Sequence, residues 1–474
     1  MSLTRKDVRR VAKWIEQYYD DSRKYRVLSS ARPGEIAAAL PDTAPVQGES
    51  FEQIFSDFEQ IIVPGITHWN HPRFFAYFSI SAAPVTVLAE ALAATLDVNA
   101  MLWRTSPAAT ELEEVVLAWL RSMLGISEDF AGIVYDTASI GGFTALAAAR
   151  EALDLDIRDV GMTGRELPAL RVYITEHTHS HIEKAAIALG VGRSNVVRIP
   201  VDDAFRMRPD ALQEQIEGDR ARAMHPMCIV ATVGTTSTTS TDPVDAIAAI
   251  AQKHAIWLHV DAAYAGIAAI LPEQRHLLAG VDAADSLVVN PHKWLFVPID
   301  LSVLYVRRQE IVKRAFALRA DYLTTPEADV RNYMDYGLQL GRRFRALKLW
   351  FLLRSYGVRG LQRKLRRHIA LAQEFAQWIR LEDEWDVVAP HPLSVVCFRF
   401  VPRGSNSPQK LDTLNERVLD AVNASGEIFL SMTKVSGRTA LRLAIGNERT
   451  NRADVQLAWD VLRRHAREIR SHET

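Results

Sequence analysis

The stretch Trp257-Leu258-His259-Val260-Asp261-Ala262-Ala263-Tyr264-Ala265-Gly266 starts as an apolar strand and breaks at an acid into a run of small residues. A second stretch of the same kind follows, where Ser286-Leu287-Val288-Val289 runs into Asn290-Pro291-His292-Lys293-Trp294. Taken singly, Asp261 reads as a helix N-cap and Lys293 as a surface amine snorkelling past its tryptophan neighbour. Taken together, they put a carboxylate and an amine at the ends of two successive strands. In open parallel sheets ligands collect at the carboxyl ends of the strands, so the pair predicts a binding site.

Outward from this pair, short Val/Ile-rich runs alternate with Ala-rich helical stretches from about residue 88 to residue 336. That is the rhythm of an α/β fold with a mostly parallel sheet. Strands are expected at 171–175, 228–233, 257–260, 286–289 and 301–306, and their near-continuous apolar character calls for helices on both faces. Beyond Leu340 a helical pattern through Phe344, Leu347 and Phe351 leads to strands expected at 390–400 and 439–445, a smaller α+β unit. Near the start, Val8, Val11, Ile15 and Tyr18 recur at helical spacing. Two or three short helices cannot bury much surface alone, so residues 1–85 are expected to be an N-terminal helical appendage packed on a partner subunit. The expected domains are therefore 1–85, 86–360 and 361–474.

A chain of 474 residues exceeds what one core usually holds. With 48% hydrophobic and 24% charged residues it has the composition of an ordinary globular protein. Its net charge of −1 gives no overall field for nucleic acid or an anionic membrane. No segment is apolar for the roughly 20 residues of a membrane span, and the N-terminus lacks a signal-peptide pattern. Cys228 and Cys397 sit in apolar runs with neither metal-ligand nor disulfide spacing, so a reducing, cytoplasmic location is expected.

A carboxylate that can keep a pyridine nitrogen protonated, and an amine that can condense with an aldehyde, are two groups that pyridoxal phosphate requires. Such an amine must be partly desolvated or near cations to be neutral often enough to react. Ala263 would leave room for the ring's face. A phosphate needs an anion site, and Thr137-Ala138-Ser139-Ile140-Gly141-Gly142 precedes an Ala-rich helical stretch whose first amides would face an anion. The same pattern also serves as a plain cap. His179, in Thr178-His179-Ser180-His181, reads by itself more readily as a surface or core histidine than a functional one, and Thr236, in Gly234-Thr235-Thr236, as a plain turn residue after a strand.

The strings His-Val-Asp-Ala-Ala-Tyr-Ala-Gly at 259–266 and Asn-Pro-His-Lys-Trp at 290–294 closely resemble those of the pyridoxal-phosphate-dependent group II amino-acid decarboxylases, the aromatic-L-amino-acid decarboxylases above all. The resemblance continues through Thr67-His68-Trp69, Phe74-Phe75-Ala76-Tyr77-Phe78, Ser106-Pro107, Thr110-Glu111-Leu112-Glu113 and Leu340-Gly341-Arg342-Arg343-Phe344-Arg345. It implies the PLP-dependent fold type I, aspartate aminotransferase-like, and a homodimer whose N-terminal helices wrap the partner. It also implies the removal of the α-carboxylate from an L-amino acid, giving an amine and carbon dioxide.

By the same resemblance, Lys293 carries the cofactor and Asp261 pairs with its ring nitrogen. Ala138, Ser139 and Asn290 hold the phosphate, while Thr236, Ala263 and His292 make further cofactor contacts. His179 lies against the ring and meets the substrate carboxylate, and Tyr333, in Asn332-Tyr333-Met334, returns a proton to Cα. Trp69, Tyr77, Phe78 and Ile80 fall at substrate-binding positions, and the aromatic members suit tryptophan, tyrosine, phenylalanine or dopa. A phenylalanine in place of Tyr333 would have suggested the aldehyde-forming relatives. The pocket departs from the family pattern at Ser79-Ile80-Ser81, where Pro-Thr is usual, and at Asn99 and Met101, where larger apolar residues are usual. A non-aromatic substrate and an aldehyde product therefore stay as alternatives.

Overall fold

Branched and aromatic runs build one seven-stranded sheet in the computed structural model, which describes residues 4–318, 327, 330–404 and 407–471. The strands are β1 (Ala131–Tyr135), β2 (Leu170–Ile174), β3 (Val196–Arg198), β4 (His225–Thr232), β5 (Trp257–Asp261), β6 (Ser286–Val289) and β7 (Ser302–Val306). Their order across the sheet is β1-β7-β6-β5-β4-β2-β3. All run parallel except β7, which is antiparallel to both its neighbours. Every residue of β5, β6 and β7 is buried, as an apolar strand covered on both faces must be.

The five expected strands are present, with no end moved by more than three residues and β6 unchanged. β1 escaped the pattern because Gly132 interrupts it, and that glycine is obligatory: a Cβ there would lie 2.9 Å from both Leu117 and Tyr305. The helix Ala138–Glu151 packs on the sheet largely through small residues, since Ala145, Ala148 and Ala149 are fully buried. A Cβ on Gly141 would stand 3.1 Å from Val288 of β6. Small residues thus let the helix, and the anion-facing turn at its start, approach the strand that leads to Lys293.

This sheet belongs to a unit formed by Ala82–Ile369 and Ala389–Leu393. The other unit combines the residues up to Ser81 with Ala370–Val388 and Ser394–Thr474. It holds a four-stranded antiparallel sheet, β8 (Trp385–Val387), β9 (Val395–Phe400), β10 (Ser431–Val435) and β11 (Arg438–Ala444), in the order β10-β11-β9-β8. β9 starts at Val395 rather than at residue 390, because Pro390 and Pro392 have no amide to give a ladder.

Residues 1–85 are expected from the sequence to form a separate appendage, whereas the residues up to Ser81 group with the C-terminal sheet. Val27 N–H donates to the Gly426 carbonyl, Phe75 N–H to Phe429, and Ala444 N–H to Phe75, each at 2.9 Å. Phe75 shares a core with Phe375, Phe398 and Trp459. Asp454, 1% exposed, accepts from Arg23 at 2.9 and 2.7 Å and from Arg73 at 3.1 Å. The helix Arg5–Asp21 opens with a Thr4/Asp7 capping box, and its Val8 and Val11 remain exposed.

Candidate active site

β5 and β6 are parallel neighbours with Asp261 opposite Val288, so Asp261 and Asn290 leave the sheet at the same end. Asn290 N–H donates to the Ala263 carbonyl at 3.0 Å, and Ala263 N–H donates to Asp261 Oδ1 at 3.1 Å. Asn290 Oδ1 accepts from Ser302 Oγ at 2.6 Å. Ser302 starts the reversed strand β7 and pairs with Tyr135 at the end of β1, two residues before Thr137, the N-cap of the helix Ala138–Glu151. Reversal of β7 therefore brings a polar strand start to the edge where the other strands end.

Lys293 is half-buried on the one-turn helix Pro291–Trp294 and is held through its neighbours. His292 Nδ1 accepts the Leu301 N–H at 3.1 Å. Trp294, fully buried, donates Nε1–H to His368 at 3.1 Å and stacks on Tyr264 with centroids 4.8 Å apart. Such anchoring fixes where the amine emerges.

Electrostatics gather a cluster around this point. Asp261 is 4% exposed, and burial works against its charge. Even so, the fields of His181, Lys293 and His259 and the Ala263 amide hold its carboxyl below the ordinary range. Burial pushes His181 and His259 down to about 4, so both rings are neutral at pH 7. Burial and then Lys293 lower His179, and burial takes His292 down to about 3. Asp261, Lys293 and His179 are thus brought together, and the structure adds His181 and His259, neither of which was singled out from sequence.

Thr236 is exposed on the loop after β4, while the Thr235 hydroxyl is spent on Thr238 at 3.1 Å. Gly234 has φ +84°, and a Cβ there would lie 2.3 Å from that of Ala265, so only glycine lets this loop pack on the turn beyond Asp261. Ala138 and Ser139 occupy the first turn of their helix, where amides have no intrahelical acceptor.

Tyr333 belongs to the same unit, in a buried cluster that also takes in Ala138 and Ala263. It is 2% exposed at the head of the turn Tyr333–Tyr336, and the Arg342 guanidinium lies 4.3 Å from its ring centroid. Its leading electrostatic neighbours are Glu113, Arg331 and Arg342, and burial pushes its phenol above the usual tyrosine range. Arg342 is fastened by Glu113 at 2.7 Å and by the carbonyls of Val134 and Ala100 at 2.8 and 3.2 Å. Glu113 and Arg342 stand in the strings Thr110–Glu113 and Leu340–Arg345, where nothing local in the sequence marks them as partners.

In the other unit Trp69 stacks on Tyr77, with centroids 5.6 Å apart and planes at 18°, and both rings are exposed. Phe78 does not join them, being buried against the Arg442 guanidinium at 4.7 Å. Ile80 is half-buried.

A phosphorylated pyridine aldehyde fits this donor set. The buried, ionised Asp261 suits a protonated ring nitrogen, the anchored Lys293 suits an aldehyde, and the helix start at Ala138 suits a dianion.

Solved structures of this architecture are similar over nearly the whole chain. Tryptophan decarboxylase of Catharanthus roseus in complex with L-tryptophan superposes with a TM-score of 0.92 at 34% identity, covering 99% of this chain and 100% of that one. Tryptophan decarboxylase of Oryza sativa with PLP and tryptamine gives a TM-score of 0.94 at 33% identity, covering 99% of each chain. The fold is that of the fold type I pyridoxal-phosphate enzymes, and pyridoxal 5'-phosphate is the cofactor.

Residues 33–401 match the pyridoxal-dependent decarboxylase conserved domain. Among curated relatives, the aromatic-L-amino-acid decarboxylase of Sus scrofa is 38% identical over 97% of this chain and 95% of its own length. The phenylacetaldehyde synthase of Arabidopsis thaliana is 38% identical over 96% of this chain and 94% of its own. The chain belongs to the pyridoxal-phosphate-dependent amino-acid decarboxylase family.

Proposed function

We propose that this enzyme removes the α-carboxylate of an aromatic L-amino acid, giving the amine and carbon dioxide. The observation that carries the reading is the buried Asp261 carboxylate, held ionised at the end of the strand beside the one that leads to Lys293. When bound, pyridoxal phosphate supplies a sink for the electron pair released from the Cα–carboxylate bond. Asp261 keeps the ring nitrogen cationic, a charge placed where electron density develops. Lys293 anchors the aldehyde carbon. Ala138, Ser139 and Asn290 bind the phosphate, and Thr236, Ala263 and His292 make further cofactor contacts. His179 covers the ring and binds the substrate carboxylate, and Tyr333 delivers a proton to Cα.

Trp69, Tyr77, Phe78 and Ile80 select the side chain. The exposed Trp69–Tyr77 stack supports an aromatic substrate, since flat rings offer offset-stacked or edge contacts. Tryptophan, tyrosine, phenylalanine and dopa are the candidates.

A second reading, aldehyde formation, has the phenylacetaldehyde synthases in its favour, since they are as similar to this chain as the amine-forming relatives. Tyr333, a proton donor where a phenylalanine would be none, favours the amine. A homodimer is supported by the exposed Leu88, Leu92 and Leu96, spaced four apart on the helix Pro84–Leu96, and by Val8 and Val11. The two buried free cysteines agree with a reducing cytoplasm. Among the described residues no helix is long and apolar enough to cross a membrane.

The test is an amino-acid panel with the cofactor-loaded protein, scored for amine, aldehyde and carbon dioxide. Equimolar amine and carbon dioxide from an aromatic amino acid is expected, with none from a folded Lys293→Ala variant. Aldehyde as the main product would transfer the assignment to the second reading. Steady-state turnover by Lys293→Ala would remove the basis of both.

A further inference from the structure

We infer that His181 is a positioning residue that fixes the tautomer of His179, so that His179 presents its Nε2–H as a standing donor to the substrate's α-carboxylate. This rests on the reading above that His179 meets that carboxylate.

The two imidazoles meet Nδ1 to Nδ1 at 3.0 Å, so one of these nitrogens carries a proton and the other a lone pair. The backbone resolves which is which. His181 N–H also points at His179 Nδ1, at 3.3 Å. A proton on His179 Nδ1 would set that amide against another N–H. His179 Nδ1 is therefore the acceptor of both donors, His181 carries Nδ1–H, and the single proton of His179 sits on Nε2.

The far side of His181 agrees. Its Nε2 is left as a bare lone pair, and that atom is buried with no hydrogen-bond partner among the described residues. The facing residue is Gly142, where a Cβ would come within 2.6 Å of Nε2 and 2.8 Å of Cδ2. The missing side chain at Gly142 makes the slot that the ring fills. Burial keeps His181 neutral, at about 4, and lowers His179 as well, so each ring has one proton and its location matters.

The third histidine of the segment stands apart, with His177 edge-on to Phe205 at 5.5 Å. Chemically, the two tautomers of His179 differ in sign toward an anion. Nε2–H donates to a carboxylate, whereas a bare Nε2 would present a lone pair to it. A hydrogen bond to a charged group is worth about 10- to 100-fold in affinity.

The experiment compares wild type, His181→Leu and His181→Asn as cofactor-loaded proteins, with melting temperature and cofactor stoichiometry as folding controls. Asparagine can place an amide donor where Nδ1–H stood. Two constants are read for each: KM for the amino acid, and the inhibition constant of the corresponding amine, which lacks the carboxylate. In parallel, 15N shifts of histidine-labelled protein, with and without cofactor, report the tautomer of His179.

Expected are an Nε2–H tautomer in wild type, a KM raised about 10- to 100-fold in His181→Leu with the amine constant within about twofold, and recovery of most of the loss in His181→Asn. An Nδ1–H tautomer in wild type overturns the inference and leaves the role of His179 standing. Equal losses for amino acid and amine overturn it too, in favour of simple packing. The inferred tautomer with an unchanged KM in His181→Leu overturns the carboxylate role of His179, and the inference with it. Should His181→Leu fail to fold, His181→Asn decides through the same constants: a selective KM loss with an altered His179 tautomer supports the inference, and so does near-wild-type KM with the Nε2–H tautomer kept.

Discussion

Replacing Glu113 by glutamine removes one negative charge from a site sealed against water. Glu113 is 2% exposed, and its Oε1 accepts from the Val134 amide at 3.0 Å and from Arg342 at 2.7 Å. Arg342 is 8% exposed, so its charge has little solvent to turn to. Breaking a buried pair by removing one partner costs about 3 to 5 kcal/mol. Glutamine keeps an acceptor, and Arg342 keeps the carbonyls of Ala100 and Val134, which puts the cost near the lower end, about 3 kcal/mol. For a unit of this size each kcal/mol moves the melting midpoint by roughly 2 to 4 °C, so a loss of about 6 to 12 °C is expected.

Far-UV circular dichroism of the cofactor-loaded protein measures the loss, at two scan rates because large proteins often unfold irreversibly. Activity should fall as well, since Arg342 seats the ring of Tyr333, while the absorption of the bound cofactor should hold because Asp261 has other neighbours. A midpoint within about 2 °C of wild type would show that the Arg342 charge does not depend on Glu113, and the energetic reasoning would fail.

Acid should weaken the large unit through His259. Its ring stays neutral in the folded state down to about 4, against an ordinary 6.5. The unfolded chain therefore binds the extra proton first, and stability falls as pH drops from 6.5 toward 4, by about 2 kcal/mol at pH 5. His259→Asn can keep the bond to Ser286 and does not titrate, so its urea midpoint should change less between pH 7 and pH 5 than that of wild type. Identical pH dependence of the two proteins would rule this out. In the other unit, Asp454→Asn should cost about 2 kcal/mol, less than a fully buried pair because Arg23 and Arg73 keep part of their hydration. Limited proteolysis within the first 81 residues should quicken accordingly, and an unchanged cleavage rate would show that this anchor does not hold the segment.

The β5–β6 pair was legible because a strand buried on both faces is an uninterrupted apolar run, so the polar residue that ends it stands out. Asp261 and Lys293 needed no more than that. β1 was hidden by a glycine that packing demands, and β3, three residues long, offers no period to read. β10 alternates half-buried and exposed residues over its first four positions, and so has little apolar signal. Tertiary partnerships were out of reach for a different reason. Glu113 and Arg342 are 229 residues apart, and no local pattern ties an acid to a base at that range. His181 looked like one histidine of three, and the slot opposite Gly142 together with the bond to His179 separates it from His177.

Arg23 and Asp454 are 431 residues apart along the chain, which has a bearing on biosynthesis. At about 5 to 20 residues per second, the ribosome takes roughly 20 to 90 s to deliver the acid after its arginine has appeared. Throughout that interval the first helices wait without the strands they will lie against, their greasy side chains open to whatever the cell provides. A nascent chain of this design keeps its leading segment unpaired far longer than one whose leading segment closes on its immediate successor.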